Sequence, residues 1–88
     1  MRVRVRLFAA LCDLAGAHEV EVEAPEGATV NRLVDLLDAK FGGFRAELAG
    51  GGPAYVVLVN GRAVGWPESD AELRDGDTVA FVPLIEGG

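Results

Sequence analysis

The chain has 88 residues, half of them hydrophobic and a quarter charged, which suits one small globular domain and rules out wholesale disorder. Eight basic against 14 acidic side chains leave a net charge of −6, which speaks against nucleic acid, whose binding rests on cationic side chains at phosphates. A single Cys and a single His exclude an internal disulfide and any zinc site built from several Cys and His ligands.

Residues 2–8 alternate strictly. Val3, Val5 and Leu7 point one way, and Arg2, Arg4, Arg6 and Phe8 the other, the period-two mark of a half-buried strand. Arginines followed by Leu7–Cys12 superficially resemble a signal peptide, but the apolar run is short and Asp13 ends it. A strand explains the segment better. No apolar run approaches the roughly 18 residues of a membrane span, so no membrane is expected, and a reducing cytoplasm is the expected setting. Residues 9–15 suit one or two helical turns closed by Gly16. Residues 18–23 alternate again, with Val20 and Val22 on one face and Glu19, Glu21 and Glu23 on the other. Antiparallel pairing of the two strands sets three Arg against three Glu, each cross-strand pair contributing about 0.2–1 kcal/mol.

Pro25-Glu26-Gly27 is a turn. Thr29 is a suitable N-cap for a helix running to about Phe41. Val30, Leu33, Val34, Leu37 and Phe41 form its apolar stripe, and Gly42-Gly43 ends it. Residues 44–49 suit a further helical turn before Gly50-Gly51-Gly52-Pro53. Residues 55–59 are apolar on both faces, as in an interior strand. Asn60-Gly61 signals a hairpin with Ala63-Val64 as a short returning strand. After residues 65–73 and an Asp75-Gly76 turn, residues 78–82 form the last strand. One long helix can cover one face of a mixed sheet, which gives an α+β roll with the other face open. The first and last strands can lie side by side at its centre, though spacing alone does not fix this.

Nothing inside the chain reads as a catalytic group. His18 reads as an exposed strand residue and Cys12 as core packing. Glu68, Asp70, Glu72, Asp75 and Asp77 lack the spacing of a calcium loop and read as a solvated face. Trp66-Pro67 reads as a loop anchor, with an exposed contact residue as the alternative. Two features call for a functional account. The chain finishes in Gly87-Gly88; glycine has no Cβ, so such a backbone can enter a narrow cleft and its carboxylate is unhindered. The open face also carries apolar side chains: Phe8, Ala80, Val82 and one of the pairs Val56/Leu58 or Val57/Val59. Such a patch is a docking surface unless a loop, such as residues 65–73, folds over it.

The order of these pieces resembles the β-grasp sulfur carriers related to ubiquitin, and among them the small subunits of molybdopterin synthase. The pieces are Val5 to Gly16 with its Phe8-Ala9-Ala10 core, Thr29-Val30 with Leu33 and Leu37, Val59-Asn60-Gly61, Leu73 to Phe81 with its Asp75-Gly76-Asp77 turn, and Pro83 followed by Gly87-Gly88. The resemblance implies a ubiquitin-like β-grasp domain over residues 1–83 and a flexible Gly-Gly tail over residues 84–88. It implies that Gly88 is adenylated by an E1-like activating enzyme using ATP, then made a thiocarboxylate by a sulfur donor. No cofactor or metal is held by the carrier itself. Gly87 would thread into the large subunit, Pro83, Leu84, Ile85 and Glu86 would form the inserted stem, and Phe8 and Val82 would contact both partners. The stem departs from the two prolines and small residue usual in the synthase subunits, and the stretch from Phe41 to Pro53 is long. Relatives supplying sulfur for thiazole, tRNA thiolation or cysteine, and ubiquitin-like protein modifiers, are therefore the alternatives.

Overall fold

The computed structural model describes residues 1–50 and 53–84. Along the chain come β1 (Arg2–Leu7), α1 (Ala9–Ala15), β2 (Glu19–Glu23), α2 (Val30–Phe41), α3 (Phe44–Ala49), β3 (Tyr55–Val59), β4 (Arg62–Ala63) and β5 (Thr78–Pro83). The five strands form one mixed sheet in the order β2-β1-β5-β3-β4. β1 pairs antiparallel with β2 in the register Arg2–Glu23, Arg4–Glu21 and Arg6–Glu19. It pairs parallel with β5, so first and last strands do lie side by side. β3 closes the other side of β5 antiparallel, with Val56 opposite Val82 and Leu58 opposite Ala80.

The core lies between α2 and one face of the sheet. Val3, Val5 and Leu7 from β1, Val57 from β3, and Val79 and Phe81 from β5 meet Val30, Leu33, Val34 and Leu37 from α2, all fully or nearly fully buried. Phe41, the last position of the expected stripe, is only half-buried, because the helix ends there. Phe44, after the double glycine, takes the inner position instead. It is fully buried and meets Phe81 edge to face with ring centroids 5.3 Å apart, a favoured aromatic geometry. Asn60 and Gly61 both take positive φ (51° and 82°), as the tight turn between β3 and β4 requires.

The segment 65–73 folds against the helical side. The Trp66 indole N–H donates to Asn31 Oδ1 at 3.0 Å, and Leu73 joins the core. Val30 N–H donates to Ala71 O, and Leu73 N–H to Ala28 O. Thr29 caps α2 as expected, accepting from Arg32 N–H, but Asp70 shares the task by accepting from Asn31 N–H at 2.9 Å. Burial alone would raise the Asp70 carboxyl, yet that bond and the Thr29 and Asn31 side chains hold it below its ordinary value. The acidic set is therefore more than a solvated face. Asp75 accepts Arg2 N–H, and Asp77 accepts from Asn60 Nδ2 and Arg74 N–H. Among the described residues no helix is long and apolar enough to cross a membrane.

Candidate functional site

β1 and β5 present their inner residues in step, Val5 beside Val79 and Leu7 beside Phe81. Strand alternation therefore turns Arg4, Arg6, Thr78, Ala80 and Val82 to the open face. On β3 it is Val57 that is buried, so Val56 and Leu58 are the outward pair; the sequence left this choice open because β3 is apolar on both sides. The strand expected over residues 2–8 ends at Leu7, and Phe8 is instead the extended N-cap of α1. It is half-buried, as are Val56, Leu58, Ala80 and Val82. These five side chains make a connected apolar strip over the centre of the sheet. None of them belongs to the core cluster or packs against it. Because residues 65–73 lie on the helical side, they do not cover it.

The strip has a charged border on one side. Arg2 Nε lies 3.1 Å from Glu23 and 3.5 Å from Glu21. Arg4 reaches Glu19 and Glu21 at 3.8 and 3.9 Å. The hydrogen bond to Glu23, then the charges of Glu21 and Glu23, push the Arg2 guanidinium further up from its already high value. Arg6 behaves differently: its guanidinium carbon stands 5.9 Å from the Phe8 ring centroid, a cation–π distance. The expected three-rung ladder thus has two ionic rungs among the described residues, and its third arginine borders the apolar strip. That role followed from Phe8 sitting two residues along on the same face, a signal present in the alternation.

The strip leads to the point where the chain leaves the sheet. Pro83 ends β5 opposite Tyr55. Leu84 is 55% exposed, and its N–H donates to Ala54 O at 2.7 Å. Ile85, Glu86, Gly87 and Gly88, expected as the rest of the stem and the reactive end, lie outside the described residues. Elsewhere, Cys12 is half-buried against the core as expected, and its Sγ lies 3.3 Å from Nδ1 of exposed His18, a pairing the sequence did not reveal. His18 sits just before β2 rather than within it.

A mixed five-stranded sheet with one long helix on its inner face, and a C-terminal chain leaving from a central strand, defines the ubiquitin-like β-grasp class. Comparison with known proteins narrows this: the ThiS family matches residues 5–88, and the chain belongs to that family of ubiquitin-like sulfur carriers. Small archaeal modifier protein 3 of Haloferax volcanii is 32% identical over the whole of both chains. A candidate molybdopterin converting factor subunit 1 from Pyrococcus furiosus is 33% identical, with a TM-score of 0.73 and coverage of 97% of this chain and 99% of that one. A chain in the BexX/CysO complex of Amycolatopsis orientalis is 32% identical, with a TM-score of 0.74 and coverage of 98% and 99%. The family thus includes proteins that work in complex with a partner protein.

Proposed function

We propose that the chain carries sulfur for molybdopterin synthesis as the small subunit of molybdopterin synthase. The observation that carries this reading is the apolar strip ending at the chain's exit: Phe8 and Val82 flank the start of the Pro83-to-Gly88 segment. An E1-like activating enzyme docks on the strip and transfers AMP from ATP to the Gly88 carboxylate, releasing pyrophosphate. A carboxylate is a poor electrophile, whereas an acyl-adenylate has a good leaving group. Hydrosulfide then attacks the acyl carbon, a C–S bond forms as the C–O bond to AMP breaks, and a thiocarboxylate is left with loss of a proton. Where the donor is a persulfide, the acyl disulfide first formed is reduced by a thiol to the same thiocarboxylate. Pro83, Leu84, Ile85 and Glu86 serve as the stem that carries Gly87 and Gly88 into the large subunit, where sulfur passes to a pterin precursor. ATP is bound by the activating enzyme, and this chain needs no cofactor of its own. It contributes positioning and a reactive acyl sulfur, while the partner supplies acid–base groups. The cytoplasm, with ATP and reduced sulfur at hand, is the setting. The likeness to the Pyrococcus furiosus protein over nearly the full length supports the pathway.

A second reading shares the activation step and differs in the acceptor. The full-length likeness to a Haloferax volcanii modifier protein favours attachment to protein amines, and the CysO likeness favours another sulfur pathway. Intact-mass spectrometry tests the shared chemistry. With activating enzyme, ATP and a sulfide or persulfide source, one oxygen should be replaced by one sulfur, in the C-terminal peptide. Sulfur found on Cys12 instead would overturn both readings. Co-purification with a pterin-binding large subunit selects the first.

A further inference from the structure

The sequence contains one lysine, Lys40; the other seven basic residues are arginines. Lys40 lies in the last turn of α2 and is exposed. Its Nζ rests 5.8 Å from the ring centroid of Phe41, and among the described residues no carboxylate lies within salt-bridge distance of it. The other amine of the chain is placed differently. The Met1 amino group donates to Ala24 O at 2.7 Å and has Glu23 and Glu26 at 4.0 Å, while its side chain packs against the core. One amine is therefore presented to solvent and the other is tied to the sheet's end. Lys40 also lies on the helical layer, behind the sheet as seen from the Phe8–Val82 strip. A carrier whose strip is occupied by a partner still offers Lys40 to a second molecule.

From this placement we infer that Lys40 is the acceptor site through which copies of this chain become joined, Gly88 of one copy to Lys40 of the next. The inference rests on activation of Gly88 as proposed above. The neutral Lys40 amine attacks the acyl carbon of the Gly88 adenylate. A C–N bond forms, the C–O bond to phosphate breaks, AMP leaves with the electron pair, and the nitrogen loses a proton to solvent. Each link consumes one ATP and releases pyrophosphate and AMP. Every chain has one such acceptor, so the product is unbranched and of a single linkage type.

The test uses the full chain, an adenylating enzyme of its family and ATP, without sulfide, and compares wild type with Lys40→Arg. The arginine keeps the positive charge at the helix's carboxyl end and removes the nucleophile. Formation of the Gly88 adenylate is followed separately, by pyrophosphate release. The expected result is a ladder of multimers for wild type and its loss in Lys40→Arg, with equal pyrophosphate release in the first turnover. Protease Glu-C, cutting after Glu86, should leave Gly87-Gly88 as a branched remnant on Lys40. Adenylate without multimers, a remnant on Met1, a cyclised monomer, or undiminished multimers in Lys40→Arg would each overturn the inference while leaving the activation step standing. No adenylate in either protein would overturn the activation reading, and this inference with it.

Discussion

Leu7 and Phe81 stand opposite each other across the parallel β1–β5 pair, and both are fully buried. The residue after each, Phe8 as the extended N-cap of α1 and Val82 within β5, therefore emerges on the opposite face. One pairing thus fixes the core and the apolar strip together. Replacing Val82 or Phe8 with Asp should weaken binding to the large subunit by at least about 1.4 kcal/mol, a tenfold rise in Kd. Stability should fall much less, because neither side chain is in the core cluster. Titration calorimetry beside urea unfolding checks both statements. Loss of folded protein in Val82→Asp would show that the strip is structural.

Adding one residue after Gly88 should abolish thiocarboxylate formation and leave thermal unfolding unchanged. The extension removes the terminal carboxylate from the position the activating site must reach, while the sheet ends at Pro83. Sulfur transfer at the wild-type rate by the extended chain would mean that another group is reactive.

Phe44→Ala should cost about 3–5 kcal/mol, the usual loss when a large buried aromatic is truncated. Phe44 is fully buried and meets the ring of Phe81, so its removal leaves a cavity against β5. Urea unfolding reads the loss directly. Phe41→Ala, at the half-buried end of α2, should cost clearly less.

The strands and the long helix were legible because each carries its own period. β1 and β2 announce their faces by alternation, and their opposite charges announce the pairing. The Asn60-Gly61 hairpin is equally local. Phe44 was not legible as core, because Gly42-Gly43 resets the helical phase after Phe41. Which face of β3 is buried depends on its register with β5, which its all-apolar sequence cannot encode. Asp70 at the Asn31 N–H and Trp66 at the Asn31 side chain join residues 39 and 35 positions apart. Such contacts follow from the path of the 65–73 segment over α2. The Gly87-Gly88 reading rests on sequence alone, because those residues lie outside the described part of the structure.

Asp70→Ala should destabilise the domain modestly, by about 0.5–1 kcal/mol at neutral pH, as loss of one cap does at an exposed site. The carboxyl is held below its ordinary value in the folded state. Its contribution is therefore full above the unfolded carboxyl's value and disappears as pH falls through the lower folded value. Wild type and variant should differ above about pH 5 and converge in strong acid. Thermal unfolding across that range checks the sign.

β5 is the last strand to be synthesised, yet it sits between β1 and β3. Until it arrives, β1 has only β2 beside it and β3 only the two-residue β4. Completion of the sheet therefore waits on the closing of a loop spanning most of the chain, a slow kind of contact in folding. A nascent or C-terminally clipped chain lacking β5 has neither its central strand nor the Val82 part of its apolar strip. A surface that needs Val82 from β5 beside Phe8 at the end of β1 is thus assembled only in chains that have closed the sheet, so the strip itself reports that the first and last strands have met.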